Sequence, residues 1–213
     1  HRCLSEDTIQ IIFLLIINRG LMMHDYSIIK KMRSIAKDMI MEGVKSADPE
    51  KLIEDTVEVK DNTIKIKDIE FNREDYDEVI LFGIGKAAVA MASGVRKINP
   101  DRGLIITKRG SVYKFHRSPV PIMEAYHPYP KKVNLEATNK ILSMLKKVDN
   151  ALIIFLISGG GSALFLSPIE GISVKEMNEL NKLLIKSGAN IHEINSVRKH
   201  LSRVKGGKFA QLC

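Results

Sequence analysis

Ala151–Ile157 reads ALIIFLI and runs directly into Ser158-Gly159-Gly160-Gly161-Ser162. An apolar run without alternation, closed by a glycine-rich break, describes a strand buried on both faces and ending in a tight turn. Earlier in the chain Glu78–Phe82 (EVILF) meets Gly83-Ile84-Gly85 in the same way, and Leu104-Ile105-Ile106-Thr107 is another buried strand. Helical patterns lie between and after them. Lys86 to Lys97 is Ala-rich, and Lys131 to Lys147 repeats Leu135, Ile141, Leu142 and Leu145 at helical spacing. Further helices are expected at 174–187 and around 190–202. Apolar strands alternating with helices predict an α/β fold, a Rossmann-like parallel sheet with helices on both faces.

Outward from this centre the patterns are local. Residues 110–130 hold four of the 7 prolines and no clear period, so a long loop is expected there. Val57-Glu58-Val59 and Ile64-Lys65-Ile66 alternate around Asp61-Asn62, the pattern of a small hairpin. Asp48-Pro49 reads as N-cap and first-turn proline of a short helix ending near Ile53. A longer helix is expected from Asp25, carrying Ile28, Met32, Ile35, Met39 and Val44 on one face. Ile11–Ile17 is an unbroken apolar run, too short to span a bilayer and without the flanks of a signal peptide. Residues 1–22 are therefore expected to be an extension outside the domain, which occupies 23–213. With no targeting signal, a cytoplasmic location is the expectation.

Of the 213 residues, 45% are apolar and 27% charged, the balance of an ordinary globular protein. Cys3 and Cys213 stand near the ends, which excludes a disulfide framework and any zinc-ligand spacing. The net charge of +8 is uneven: residues 1–130 carry +1 and residues 131–213 carry +7. No basic run is longer than a pair in that second part, and the chain has no Trp, so nucleic-acid binding is the weakest reading. A cleft receiving a small anion fits the charge better.

Several strings bear on chemistry. Gly83-Ile84-Gly85-Lys86-Ala87-Ala88 follows a strand and is read as opening a helix, where glycines let a phosphate approach the backbone. It is not a Walker A loop, and the acidic ribose ligand of a dinucleotide fold is absent after the next strand. Lys86, placed in the first helical turn, opposes the macrodipole. A bound anion would remove the conflict, and an exposed lysine with its head in solvent is the alternative. Ser158 to Ser162 ends the most buried strand, and its glycines suit an anion nest or a close-packed turn. Glu193–Gly207 reads EINSVRKHLSRVKGG, in which Asn195, Arg198 and Lys199 share one helix face and Lys205-Gly206-Gly207 stops the helix. His127-Pro128-Tyr129-Pro130 is a rigid segment whose His127 could act as donor or base.

Taken together and in this order, these strings resemble the glycerate 2-kinase family, the MOFRL-containing, hydroxypyruvate reductase-like glycerate kinases. The resemblance covers residues 26 to about 210. It implies transfer of the γ-phosphoryl of ATP, with Mg²⁺, to the 2-hydroxyl of D-glycerate. By the same resemblance Lys86 is the catalytic lysine, and Gly83, Gly85, Ser158, Gly159, Gly160, Gly161 and Ser162 line the phosphate or substrate site. Asn195, Arg198, Lys199 and Lys205 would hold the carboxylate or phosphates, and His127 is a further candidate. No metal ligands are assigned.

Two departures stand out. The family favours an acidic residue after His-Pro-x-Pro, where this chain has Lys131. The family also continues into a second domain, so this chain is expected to be the amino-terminal part of a longer enzyme and to have little kinase activity alone. Two rival readings remain: a phosphosugar-binding or isomerase-type domain, and an NAD(P)H-dependent hydroxypyruvate reductase-like domain.

Overall fold

The computed structural model describes residues 26–111, 118–146 and 149–213. The expected extension 1–22, with its apolar run, and the Asp25 cap lie outside the described residues. The chain divides into two compact units, His1–Ala47 and Asp48–Cys213. In the first, Tyr26–Ser46 forms helix α1, and Ile28, Ile35, Met39 and Val44 along it are exposed.

The second unit opens with α2 (Pro49–Glu54), whose N-cap Asp48 accepts from the amides of Glu50 and Lys51. Strands β1 (Val57–Lys60) and β2 (Thr63–Ile66) form the expected hairpin. A third strand, β3 (Ile69–Asn72), extends it, pairing Phe71 with Ile64. The main sheet has the order β6-β5-β4-β7, all parallel, from β4 (Glu78–Ile84), β5 (Arg102–Lys108), β6 (Ile122–Ala125) and β7 (Ala151–Ile157). The expected loop 110–130 therefore contains a strand. Its IMEA sequence is too short to show a period, and it is recruited by pairing with Ile105–Lys108 of β5.

Strand alternation divides the core. Val79 and Leu81 of β4 pack on one face with Ile64, Ala88 and Ala92, while Ile80, Phe82 and Ile84 pack on the other with Ala137, Ile141 and Phe165. Ala88–Gly94 is α3 and Lys132–Leu145 is α4. After β7 come the one-turn α5 (Gly161–Leu164), then α6 (Val174–Lys186) and α7 (Ile191–His200). Capping boxes Ser173/Glu176 and Asn190/Glu193 fix where α6 and α7 begin.

The helix expected over 86–97 is shorter at both ends. The amides that would begin it are already engaged: Lys86 N–H donates to Gly159 O (2.9 Å) and Ala87 N–H to Ser158 Oγ (3.1 Å). At its far end Gly94 lets the α2 backbone approach, since an added Cβ would stand 2.6 Å from the carbonyl oxygen of Glu50. A 3₁₀ turn, Arg96–Ile98, then leads to β5. Lys86 thus precedes the helix rather than occupying its first turn, and the macrodipole argument does not apply to it.

At the other end of β4, Arg102 grips Glu78 with two parallel bonds, Nε to Oε2 at 2.6 Å and Nη2 to Oε1 at 2.5 Å. The Arg102 hydrogen bonds hold the Glu78 carboxyl below its ordinary range. A depressed carboxylate pKa stabilises the fold above the unfolded value, about 4.3, and that contribution disappears as pH falls through the folded value. Between pH 6 and pH 3 the wild-type chain is expected to lose more stability than Glu78→Gln. The difference should be on the order of 1 kcal/mol or less for a part-exposed pair, measured from urea midpoints. Equal losses would show that the pair adds nothing.

Candidate active site

The order β6-β5-β4-β7 contains a topological switch point. From β4 the chain moves outward through β5 and β6, then crosses by α4 to the opposite side of β4. Open parallel sheets bind ligands where their strand order reverses, at the carboxyl ends of the strands. Here those ends are Gly85-Lys86 after β4 and Ser158-Gly159 after β7.

The two turns interlock. Gly85 has φ +125°, and an added Cβ would lie 2.1 Å from Ser158 Oγ. Only glycine serves both the conformation and the close approach. Ser158 uses its hydroxyl to hold the partner turn, accepting from Ala87 N–H and donating to Ile84 O at 3.3 Å. Gly83, by contrast, is buried within β4, where a side chain would stand 2.7 Å from Cδ1 of Ile105. It is a packing glycine, away from the turn.

Lys86 is exposed and its stem passes over the triple glycine. A Cβ at Gly160 would meet Lys86 Cγ at 3.3 Å and His127 Cδ2 and Nε2 at 3.0 Å, and one at Gly159 would meet Lys86 Cε at 3.8 Å. Gly160 also has φ +89°. So Lys86, His127, Gly159 and Gly160, from three separated strings, meet at one spot, while Gly161 packs on Ile84, whose Cδ1 would stand 3.1 Å from an added Cβ. Burial lowers the His127 pKa, and the charges of Lys86 and Lys108 lower it further. Both effects favour the neutral imidazole over its protonated form.

Beside this spot is a pocket lined by Pro128, Pro130, Ser162, Met177, Arg198 and Lys205 among others. Arg198 Nη2 donates to Ser162 Oγ at 3.0 Å, and Lys205 Nζ to Phe165 O at 2.7 Å. Asn195 and Lys199 are not among its lining residues; the Lys199 stem packs over Gly206, where an added Cβ would stand 3.3 Å from its own Cβ. The face shared by Asn195, Arg198 and Lys199 thus delivers one side chain, Arg198. Lys208, unforeseen from the sequence, closes α7 by donating to the carbonyls of Lys199, His200 and Ser202.

Asn134 was also not visible as a site residue. Fully buried, it makes four hydrogen bonds: its Nδ2 donates to Tyr126 O (2.9 Å) and Ala163 O (3.0 Å), and its Oδ1 accepts from Tyr126 N–H (3.1 Å) and Lys131 N–H (3.0 Å). This clamp ties the His127 segment to the turn after the triple glycine. The signal for it was a polar pair, Asn134 and Thr138, on the same helix stripe as Ile141 and Leu145.

The family described as "Domain of unknown function (DUF4147)" matches residues 35–213. The chain belongs to this family. A relative, the glycerate 2-kinase of Pyrococcus horikoshii, is 40% identical over 182 residues, which is 84% of this chain and 40% of the relative. The crystal structure of a Pyrococcus horikoshii OT3 protein matches with a TM-score of 0.75 at 39% identity, over 85% of this chain and 41% of that one. The crystal structure of Thermotoga maritima glycerate kinase matches with a TM-score of 0.70 at 33% identity, again over 85% and 41%. The DUF4147 chain described here thus spans about two-fifths of the length of these relatives. The α/β parallel-sheet fold expected from the sequence is the fold it shares with them. No helix among the described residues is long and apolar enough to cross a membrane.

Proposed function

We propose that this domain forms one wall of the active cleft of a glycerate 2-kinase, in which the γ-phosphoryl of ATP passes to the 2-hydroxyl of D-glycerate. The observation that carries the reading is the meeting of Lys86, His127 and the triple glycine at the switch point of the sheet. Phosphoryl transfer asks a protein mainly for positioning and charge neutralisation. The Lys86 ammonium neutralises charge on the transferring group, and Gly159–Gly161 lets it approach the backbone without steric hindrance. His127, uncharged, accepts the proton of the attacking hydroxyl.

Among the described residues no group of three or more His, Cys, Asp or Glu could hold a metal ion. Mg²⁺, which usually comes with the nucleotide phosphates, is given no ligand in this chain and no step here. The names of the relatives cited above support the substrate class.

The test incubates the full protein with ATP and D-glycerate and follows the product by ³¹P NMR. Formation of 2-phosphoglycerate is expected. Phosphorylation at the 3-hydroxyl, or none at all with folded protein, would remove this reading.

A further inference from the structure

Strand β5 ends in Thr107-Lys108, beside the turn that carries Lys86. Thr107 is fully buried, and its Oγ1 donates to Gly85 O at 3.1 Å, which ties the end of β5 to the turn after β4. Lys108 is exposed and is the Cα partner of Ala125, two residues before His127. Strand alternation decides which way it faces. Leu104 and Ile106 pack on the side of the sheet that holds Ile84 and Ala125, while Ile105 packs on the other. Lys108 continues the series of Leu104 and Ile106, so its side chain belongs to the side where Gly161 lies against Ile84. Its charge acts on the His127 imidazole together with that of Lys86.

The charged neighbours of Lys108 are engaged elsewhere. Arg109 donates to Tyr126 Oη at 2.6 Å, and the Glu124 carboxylate accepts from Gly110 N–H at 2.9 Å. Other cations of this fold meet carboxylates, as Arg73 meets Asp101 and Arg96 meets Glu54, both at 2.8 Å. Among the described residues the ammonium groups of Lys86 and Lys108 have no such partner. Two uncompensated cations repel each other, and an anion between them reverses that cost. Neighbouring strands run about 4.8 Å apart, and each lysine is a point charge on a flexible stem. One compact anion over the glycine turn is served by Lys86 and leaves Lys108 over. A chain of linked phosphates uses both.

We infer that Lys108 is a second phosphate-holding residue of the candidate site, and that Lys86 and Lys108 together grip a chain of linked phosphates, as in a nucleoside triphosphate, instead of a single phosphoryl group. This rests on the phosphoryl-transfer reading and deepens it. Lys86 acts on the group transferred, and Lys108 holds the rest of the chain in place.

Calorimetric titration of the full protein with inorganic tripolyphosphate and with inorganic phosphate, without glycerate or nucleotide, tests the inference. Saturable binding is expected, tighter for tripolyphosphate. Lys108→Met should weaken tripolyphosphate binding about tenfold or more, and Lys108→Arg should recover most of it. Lys97→Met, which removes an exposed lysine outside the site, should change nothing. In the transfer assay Lys108→Met should raise KM for ATP about tenfold and change kcat by less than about threefold, the mark of a contact made equally before and during the reaction. The His127 ring signals in NMR give a second readout: losing the Lys108 cation, or adding tripolyphosphate to the wild type, should raise the imidazole pKa. An imidazole that ignores Lys108→Met overturns the placement. No tripolyphosphate binding, or binding unchanged in Lys108→Met, or an equal loss in Lys97→Met, overturns the inference. Phosphate bound as tightly as tripolyphosphate overturns the linked-chain assignment. Tripolyphosphate binding that needs Lys108, with no phosphorylation of glycerate, removes the kinase reading alone. Phosphorylation of glycerate with a KM for ATP that ignores Lys108 removes this inference alone.

Discussion

Replacing Lys86 with alanine in the full protein is expected to lower kcat by roughly 10²- to 10³-fold, with the fold intact. Two features set this expectation. Among the described residues the ammonium group of Lys86 makes no hydrogen bond or ion pair: the backbone N–H donates to Gly159 O, and alanine keeps that bond. The stem lies against Gly160 within 3.3 Å of where a side chain would begin, so the head group stands over the turn proposed to receive the phosphoryl group. Removing a positioned charge from a transition state costs about 2.7–4 kcal/mol, which is the same fold-change expressed as energy. Lys86→Met separates charge from bulk and should behave like alanine. KM for D-glycerate should change little, because the charge of Lys86 is proposed to act on the transferring phosphoryl group. Steady-state kinetics beside circular dichroism decides the matter, and an unchanged kcat would take Lys86 out of the mechanism.

The same region shows how far a sequence can be read. Strands β4 and β7 were legible because a continuous apolar run closed by glycines fits a buried strand and little else. Their neighbour relation was not, since it depends on a crossover from β6 through α4 that no local pattern encodes. Lys86, His127 and Gly160 could each be picked out by residue type, but their meeting is a product of that topology. In several places tertiary bonds override local preference. The Ala-rich run after Gly85 favours helix from Lys86 onward, yet Ser158 and Gly159 take its first amides and delay the start to Ala88. Strand β6 carries no alternation and exists because β5 offers it an edge. The row Asn195, Arg198 and Lys199 satisfied helical spacing, but spacing cannot say which side chain turns toward Ser162. Gly83 illustrates the same limit. In a Gly-x-Gly string both glycines look alike, and only the distance to Ile105 separates the packing residue from the turn residue.

Asn134→Ala is expected to destabilise the chain by about 3–5 kcal/mol, an unusually large loss for one polar residue. The side chain is 0% exposed and satisfies four backbone groups: the N–H and C=O of Tyr126, the N–H of Lys131 and the C=O of Ala163. Leaving a buried backbone group unpaired costs about 1–3 kcal/mol, and water can repair part of the damage only near the surface. Asn134→Leu fills nearly the same volume without the bonds, so it separates lost hydrogen bonding from a cavity. A comparable loss in both variants assigns the effect to the bonds. Urea unfolding of the chain measures it, and a loss below about 1 kcal/mol would show that the clamp is dispensable. The consequence for function follows from what the clamp joins. Tyr126 adjoins His127, and Ala163 adjoins Ser162, so the amide of Asn134 sets the distance between the candidate base and the glycine turn. A variant that still folds should therefore lose turnover as well as stability, because the clamp sets the position of His127 against the glycine turn.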